Sequence, residues 1–255
     1  MNHPLPIWEC PITAQQNNNK AKRYLALLAL VVAGESIFLL PFVLSRVFRP
    51  VFLDVFEISN LQLGTAFSLY GVIAMVSYFA GGPLADRFDV RRLLVIALLA
   101  TSAGGAVMAT IPTLGMLTLL YAVWGLTTIF LFWAALIKTT RELGDGNQGL
   151  AFGVLDGGRG LFAAVLASLS VMLFAALLPA DVESATFTQR ADALSTIILI
   201  YSGMGVFSAL LVWLFIPGGK AAPAHADPHA QSFTLQGLKK VMGMRSVWLL
   251  SLIHI

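Results

Sequence analysis

From residue 24 onward, long apolar runs alternate with short polar breaks. Six runs, at about 24–46, 61–85, 93–111, 114–137, 149–178 and 194–216, are long enough to cross a bilayer, since a helix needs roughly 20 apolar residues to span the hydrocarbon core. Backbone groups in lipid find no water, so these runs are expected to be helices, which satisfy their own hydrogen bonds. The strict alternation of barrel strands is absent. The first run does not read as a cleaved leader: it is too long, it follows a polar tail over 1–23 containing QQNNN, and five more spans follow it. The pattern predicts an all-α integral membrane protein with a six-helix bundle over 24–216.

The breaks add topology. Those after spans 2, 3 and 4 are short, which makes neighbouring helices antiparallel hairpins. The loops at 47–60 and 179–193 are longer, but neither could hold a soluble domain. After Ile216 the character changes: PGGKAAPAHADPHAQS, residues 217–232, reads as a flexible linker. In the following FTLQGLKKVMGMR, Phe233, Leu235, Leu238, Val241 and Met242 fall at roughly helical spacing, which predicts a short amphipathic helix at the membrane surface within a linker region of 217–246. Residues 247–255 then read as the start of a seventh span that is cut short. The final LSLIHI, Leu250–Ile255, is what CTGTCTCTTATACACATC encodes, the end of a transposon used to prepare sequencing libraries. The expectation is that these six residues are adapter-derived and that the gene continues; the alternative is an ordinary span interrupted there.

Composition agrees with a lipid environment: 58% of the 255 residues are hydrophobic and 11% charged, against roughly 25% charged in soluble domains. The net charge of +3 is too small to suggest a nucleic-acid partner. The single cysteine, Cys10, rules out an internal disulfide framework, and with His3 alone beside it makes no metal site. Charge placement says more. With a cytoplasmic N-terminus, twelve Lys and Arg fall on inner segments and three, Arg46, Arg49 and Arg190, on outer ones; Arg159 lies within a span. That asymmetry predicts an inner-membrane orientation with both ends of the bundle inside.

Between spans 2 and 3 the chain reads GGPLADRFDVRR. Gly82, Leu84, Ala85, Asp86 and Arg87, with Arg91 and Arg92 closing the stretch, resemble the loop signature of the major facilitator superfamily, Gly-x-Leu-Ala-Asp-Arg-x-Gly-Arg-Arg or close to it. Asp89 stands where that signature has glycine, which predicts a less tight turn. The resemblance covers essentially residues 23–249 and implies the N-terminal six-helix half of such a transporter, built from two three-helix repeats, followed by the central loop. It further implies that this loop is a gate latching against a helix of a second six-helix half that this chain lacks, with Gly82 allowing close approach and Asp86 holding arginines near a helix N-terminus.

Ionisable residues inside spans are costly and are therefore functional candidates. Glu35, near the middle of span 1, is either a proton carrier or a structural hydrogen-bonding group. Arg46, at the far end of the same span, lies near where the organophosphate–phosphate antiporter branch of the superfamily places a substrate-binding arginine; an anchor that snorkels to the surface is the other reading. Span 5 opens QGLAFGVLDGGRGLF, a stretch that also resembles the start of helix 5 in bacterial members of the superfamily of uncharacterised or organic-anion type. Asp156 and Arg159, three apart, share a helical face and can pair. Arg159 either holds a carboxylate, sulfonate or phosphate in the cavity or serves packing among Gly149, Gly153, Gly157, Gly158 and Gly160. Tyr70, Tyr78, Tyr121, Trp124 and Trp133 are aromatic candidates for the cavity wall, with packing the better expectation for each.

Gly153 to Gly160 has phosphate-loop spacing but lacks the Lys-Ser/Thr pair and a preceding strand. No hydrolase or metalloprotease motif is present, His225 and His229 sit in the linker, and no cofactor is expected. The reading is a non-enzymatic secondary transporter of a small, anionic organic solute by alternating access, driven by an ion or counter-substrate gradient. The alternative is an inert fragment or a six-span scaffold without a transport cycle.

Overall fold

A computed structural model describes residues 11–144, 146–179 and 185–218. The linker, the amphipathic helix, the start of a seventh span and the adapter-like residues lie outside the described residues. Among these residues every regular element is helical. The elements are α1 (Pro11–Phe38), a π-helical segment (Leu39–Val43), α2 (Leu44–Val47), α3 (Arg49–Val55), α4 (Asn60–Arg87), α5 (Val90–Met108), α6 (Leu114–Gly125), a second π segment (Leu126–Trp133), α7 (Ala134–Gly144), α8 (Gln148–Leu177) and α9 (Phe187–Phe215). Six stretches are long and apolar enough to cross a membrane: Ala21–Val47, Asn60–Phe79, Val90–Met108, Leu114–Gly144, Gln148–Leu177 and Phe187–Phe215. They are spans 1 to 6 below. Helix α1 starts within the polar tail, at Pro11, and runs unbroken into span 1.

Polar residues mark where the chain re-enters the bundle. Ser59 and Thr186 each form a reciprocal capping box, with Gln62 and Gln189 respectively. Asp89 accepts from the Arg91 N–H and Asn147 from the Leu150 N–H. Each side chain satisfies a helix N–H that would otherwise lack a partner.

Spans 1 and 4 depart from regular α-helix at their centres. In span 1, Pro41 lies inside the π segment, where its missing N–H interrupts the α ladder and the chain widens by one residue. In span 4 no proline is responsible. There Thr127 and Thr128 turn their hydroxyls back onto the Trp124 carbonyl, at 3.5 and 2.6 Å, and compete with its backbone partner. Spans 3 and 6 are likewise matched: a Cβ on Gly105 would fall onto the Ser202 hydroxyl, and one on Gly205 onto that of Ser102. The two Ser-x-x-Gly faces interlock so that the backbones approach closely. Span 1 thus corresponds to span 4, and span 3 to span 6, as two three-helix repeats require.

Apolar cores fill both ends. One gathers Phe52, Leu63, Tyr121, Trp124 and Tyr201; the other gathers Leu30, Ile37, Leu94, Phe132 and Leu136. Spans 2 and 5 are the least covered, with 28% and 11% of their most apolar windows buried.

Candidate functional site: a charged central cavity

A cavity of about 670 Å³ opens between spans 1, 2, 4 and 5. Glu35, Arg46, Asp156 and Arg159 all line it, so the four candidates of spans 1 and 5 share one space. Both π segments contribute wall residues, Phe42 and Val43 from the first and Ile129 and Trp133 from the second. A π turn re-aims side chains relative to the helix on either side, and such turns often sit at functional sites.

Arg159 is the centre of the arrangement. Its Nε donates to the Gly34 carbonyl at 3.0 Å. This cross-helix bond exists because spans 1 and 5 meet at glycines. A Cβ on Gly34 would lie 3.0 Å from the Arg159 stem, and one on Gly158 2.9 Å from Val31. Of the span 5 glycines, Gly158 makes this contact, whereas a Cβ on Gly149, Gly153, Gly157 or Gly160 meets open space. The guanidinium then faces two carboxylates, Glu35 at 3.5 Å and Asp156 at 3.6 Å. Both distances exceed a good charge-assisted hydrogen bond. Phe38 and Trp133 flank it, each ring centroid 5.5 Å from Cζ, within reach of the cation–π attraction. Arg159 is therefore aimed and framed, yet its two Nη groups keep donor capacity.

Glu35 is buried, at 8% exposure, while Asp156 is exposed. Arg46 is exposed and makes no hydrogen bond or ion pair among the described residues. The aromatic candidates divide. Tyr70, Tyr78 and Trp133 line the cavity, whereas Tyr121 and Trp124 are fully buried in packing. Tyr70 is pinned by a 2.7 Å hydrogen bond between its hydroxyl and that of Thr128. Phe38 and Phe42 are wall residues that the sequence reading did not single out.

The loop between spans 2 and 3 differs from expectation in two respects. The turn is tight: only Phe88 and Asp89 separate α4 from α5. Asp89 explains this, because it caps α5 and supplies by side chain what glycine would supply by backbone freedom. Second, Asp86 holds no arginine among the described residues. It binds Lys138 of span 4 at 2.9 Å, and Lys138 also donates to the Ala85 carbonyl at 3.0 Å. Within this bundle a close approach also falls at Gly81, where a Cβ would lie 3.3 Å from the Phe130 carbonyl, while one on Gly82 meets open space.

The arginines of this loop diverge. Arg91 lies 4.0 Å over the Trp213 ring and donates to the Trp213 carbonyl at 3.4 Å, which ties the loop to the end of span 6. Arg92 makes a long contact with Asp89, 3.9 Å, and Arg87 is exposed. Lys138 was missed as a partner. Its signal was a lone charge ending the apolar run IFLFWAALIK, one helix end away from Asp86.

The sequence has counterparts in known proteins. Residues 25–255 match the family model of the Major Facilitator Superfamily. The chain belongs to that superfamily of membrane transporters. It is 27% identical over 237 residues to the inner membrane protein YqcE of Escherichia coli K12, covering 92% of this chain and 53% of that protein. It is 27% identical over 154 residues to the inner membrane protein YihN of the same organism, covering 60% and 36%. An uncharacterized protein of Mycoplasma pneumoniae, the MG294 homolog, is 24% identical over 212 residues, covering 77% and 43%. The chain thus spans about half the length of the curated relatives it matches. No solved structure gives a significant match.

Proposed function

We propose that this bundle is one half of a secondary active transporter that moves a small organic anion by alternating access, driven by an ion or counter-substrate gradient. The observation that carries the reading is the condition of the two cavity arginines. Arg159 is oriented by backbone and aromatic rings but only loosely paired, and Arg46 feels the charge of Glu35 without making a close ion pair among the described residues. A carboxylate, sulfonate or phosphate meeting Arg159 can replace the long contacts to Glu35 and Asp156 with shorter, bidentate bonds. Glu35, displaced from its only ion-pair partner among the described residues, is then the group that would take up a coupling proton. The matched π segments in spans 1 and 4 support a midplane site at the repeat interface.

In the same reading the loop carrying Asp86 and Arg87 is the cytoplasmic gate. Gly82 and Arg87 present an open face for a second six-helix half, while Asp86, Arg91 and Arg92 stay engaged within this one. The concentration of Lys and Arg at this end supports an inward-facing orientation for it.

The test is uptake. The gene is read beyond the codon for Trp248, expressed whole, and reconstituted in vesicles with labelled carboxylates, sulfonates and phosphate monoesters. Arg159→Lys and Arg46→Lys should each lower uptake of the transported anion roughly tenfold or more, the worth of a charge-assisted bond, without loss of membrane insertion. Unchanged uptake in both variants would leave the arginines structural and remove the anionic assignment.

A further inference from the structure

A second cavity, of about 460 Å³, lies beside the first and is lined by Phe42, Ser45, Arg46, Arg49 and Phe67. Phe42 and Arg46 line both cavities. The two spaces are therefore neighbours along one path, with the central one at Arg159 and the other at the opposite end of the bundle from the Asp86 loop. Phe42 stacks on Phe67 with centroids 5.7 Å apart and planes 3° from parallel, so the shared wall has a flat aromatic face.

The residues lining this second space carry positive charge only. Arg46 is within electrostatic reach of Glu35 in the first cavity but makes no close ion pair among the described residues, and among them Arg49 uses its Nε on the Asn60 side chain at 2.9 Å. The nearby carboxylate of Asp54 is already engaged by Arg190 at 3.2 Å. Two exposed guanidiniums three residues apart, on either side of the bend at Phe48 between α2 and α3, with an aromatic wall beside them, make a local positive field at the mouth of a low-dielectric cleft. Such a field concentrates anions and speeds their entry.

We propose that the Arg46–Arg49 cavity is a second anion site, which takes the carboxylate, sulfonate or phosphate group of the solute before it reaches Arg159. Arg46 belongs to both cavities and passes the anion between them. Arg49 works only in the first step: it recruits and does not hold the solute in the central site. This rests on the anionic reading of the central cavity, which the experiment below separates from it. A lipid headgroup carries the same chemistry, so the source of the anion is also resolved by the test.

The probe is iodide, an anionic quencher, with neutral acrylamide as control, acting on the fluorescence of Trp133, whose ring lies 5.5 Å from the Arg159 guanidinium. Trp8, Trp213 and Trp248 are replaced by Phe in the full chain, and fully buried Trp124 stays as an unquenched background. At low salt in phosphatidylcholine nanodiscs, Arg49→Gln should lower the iodide quenching rate about threefold, consistent with electrostatic steering, and leave acrylamide quenching unchanged. Arg49→Lys, which keeps the charge, should quench as the parent does and exclude a folding defect. If Arg49→Gln has no effect while Arg46→Gln and Arg159→Gln reduce quenching, the recruiting site is overturned and the central anionic cavity stands. Were none of the three to matter, both would fall. Abolition of the Arg49 effect when phosphatidylglycerol replaces part of the phosphatidylcholine would overturn the hand-over and assign the cavity to headgroups.

Discussion

Two charged clusters sit in the bundle, and they are built on opposite plans. At the Asp86 loop the contact is short, 2.9 Å between Lys138 and Asp86, and the carboxylate is 74% exposed. In the cavity the contacts are long, 3.5 and 3.6 Å, and the side chains of Arg159 and Glu35 are only 18% and 11% exposed. The tighter pair is the weaker one energetically, because water screens it. The looser pair cannot do without its partner, because little water can replace it. A short distance at a surface reports a convenient meeting of side chains. A long one in a half-dry cavity reports a site held open.

Removing Arg159 is the severest challenge to that contrast. Arg159→Leu removes the ion-pair partner of largely buried Glu35 and leaves it only the charge of Arg46, which makes no close contact with it. A fully buried pair broken this way loses 3–5 kcal/mol; at the exposures here about 2–3 kcal/mol is expected. Adding Glu35→Leu should restore most of the lost melting temperature, since the stranded carboxylate is then gone. A single variant as stable as the parent, measured by thermal melting in nanodiscs, would mean that water reaches Glu35 freely and that the two clusters are alike.

How much of this was readable beforehand follows from what sequence patterns encode. The six spans were plain, because a continuous apolar run is itself the requirement for crossing lipid. Asp156 beside Arg159 was legible too, since an i,i+3 pair needs no tertiary knowledge. Glu35 facing Arg159 was not, because that pairing depends on spans 1 and 5 crossing at Gly34 and Gly158. The π segments were invisible to hydropathy, which carries no information on backbone hydrogen bonding. In the loop, family resemblance pointed to a dozen residues but not to the neighbours that two of them have here. Lys138 rather than an arginine answers Asp86 among the described residues, and Gly81 makes a close approach to span 4.

Asp89 sharpens the comparison from the other side, as a loop residue whose worth lies in the backbone. Its carboxylate accepts from the Arg91 N–H at 2.9 Å and starts α5. Asp89→Ala should cost about 1 kcal/mol, the usual worth of a helix N-cap, and Asp89→Asn much less, because the amide oxygen caps equally well. If both variants cost the same, Asp89 acts through its charge on Arg92, at 3.9 Å, and the cap is incidental.

The smallest stability effect is expected where the contact is shortest. Lys138→Met keeps the apolar stem that crosses the bundle edge and removes the charge facing Asp86. Discounted for the exposure of the carboxylate, the loss should be no more than about 0.5 kcal/mol. The consequence for transport should be larger than that figure. The ammonium also holds the Ala85 carbonyl at 3.0 Å, so this group adds a polar anchor between the end of α4 and span 4 to the packing at Gly81. If this loop is the gate proposed above, the anchor makes it move with span 4, and losing the anchor loosens the coupling of gate to cavity. Lys138→Met should therefore lower the maximal uptake rate of the whole transporter while its apparent affinity stays put, with membrane insertion and melting temperature close to those of the parent. A loss of affinity instead would connect this loop to the solute directly, and the separation of the two clusters into a binding site and a latch would not survive.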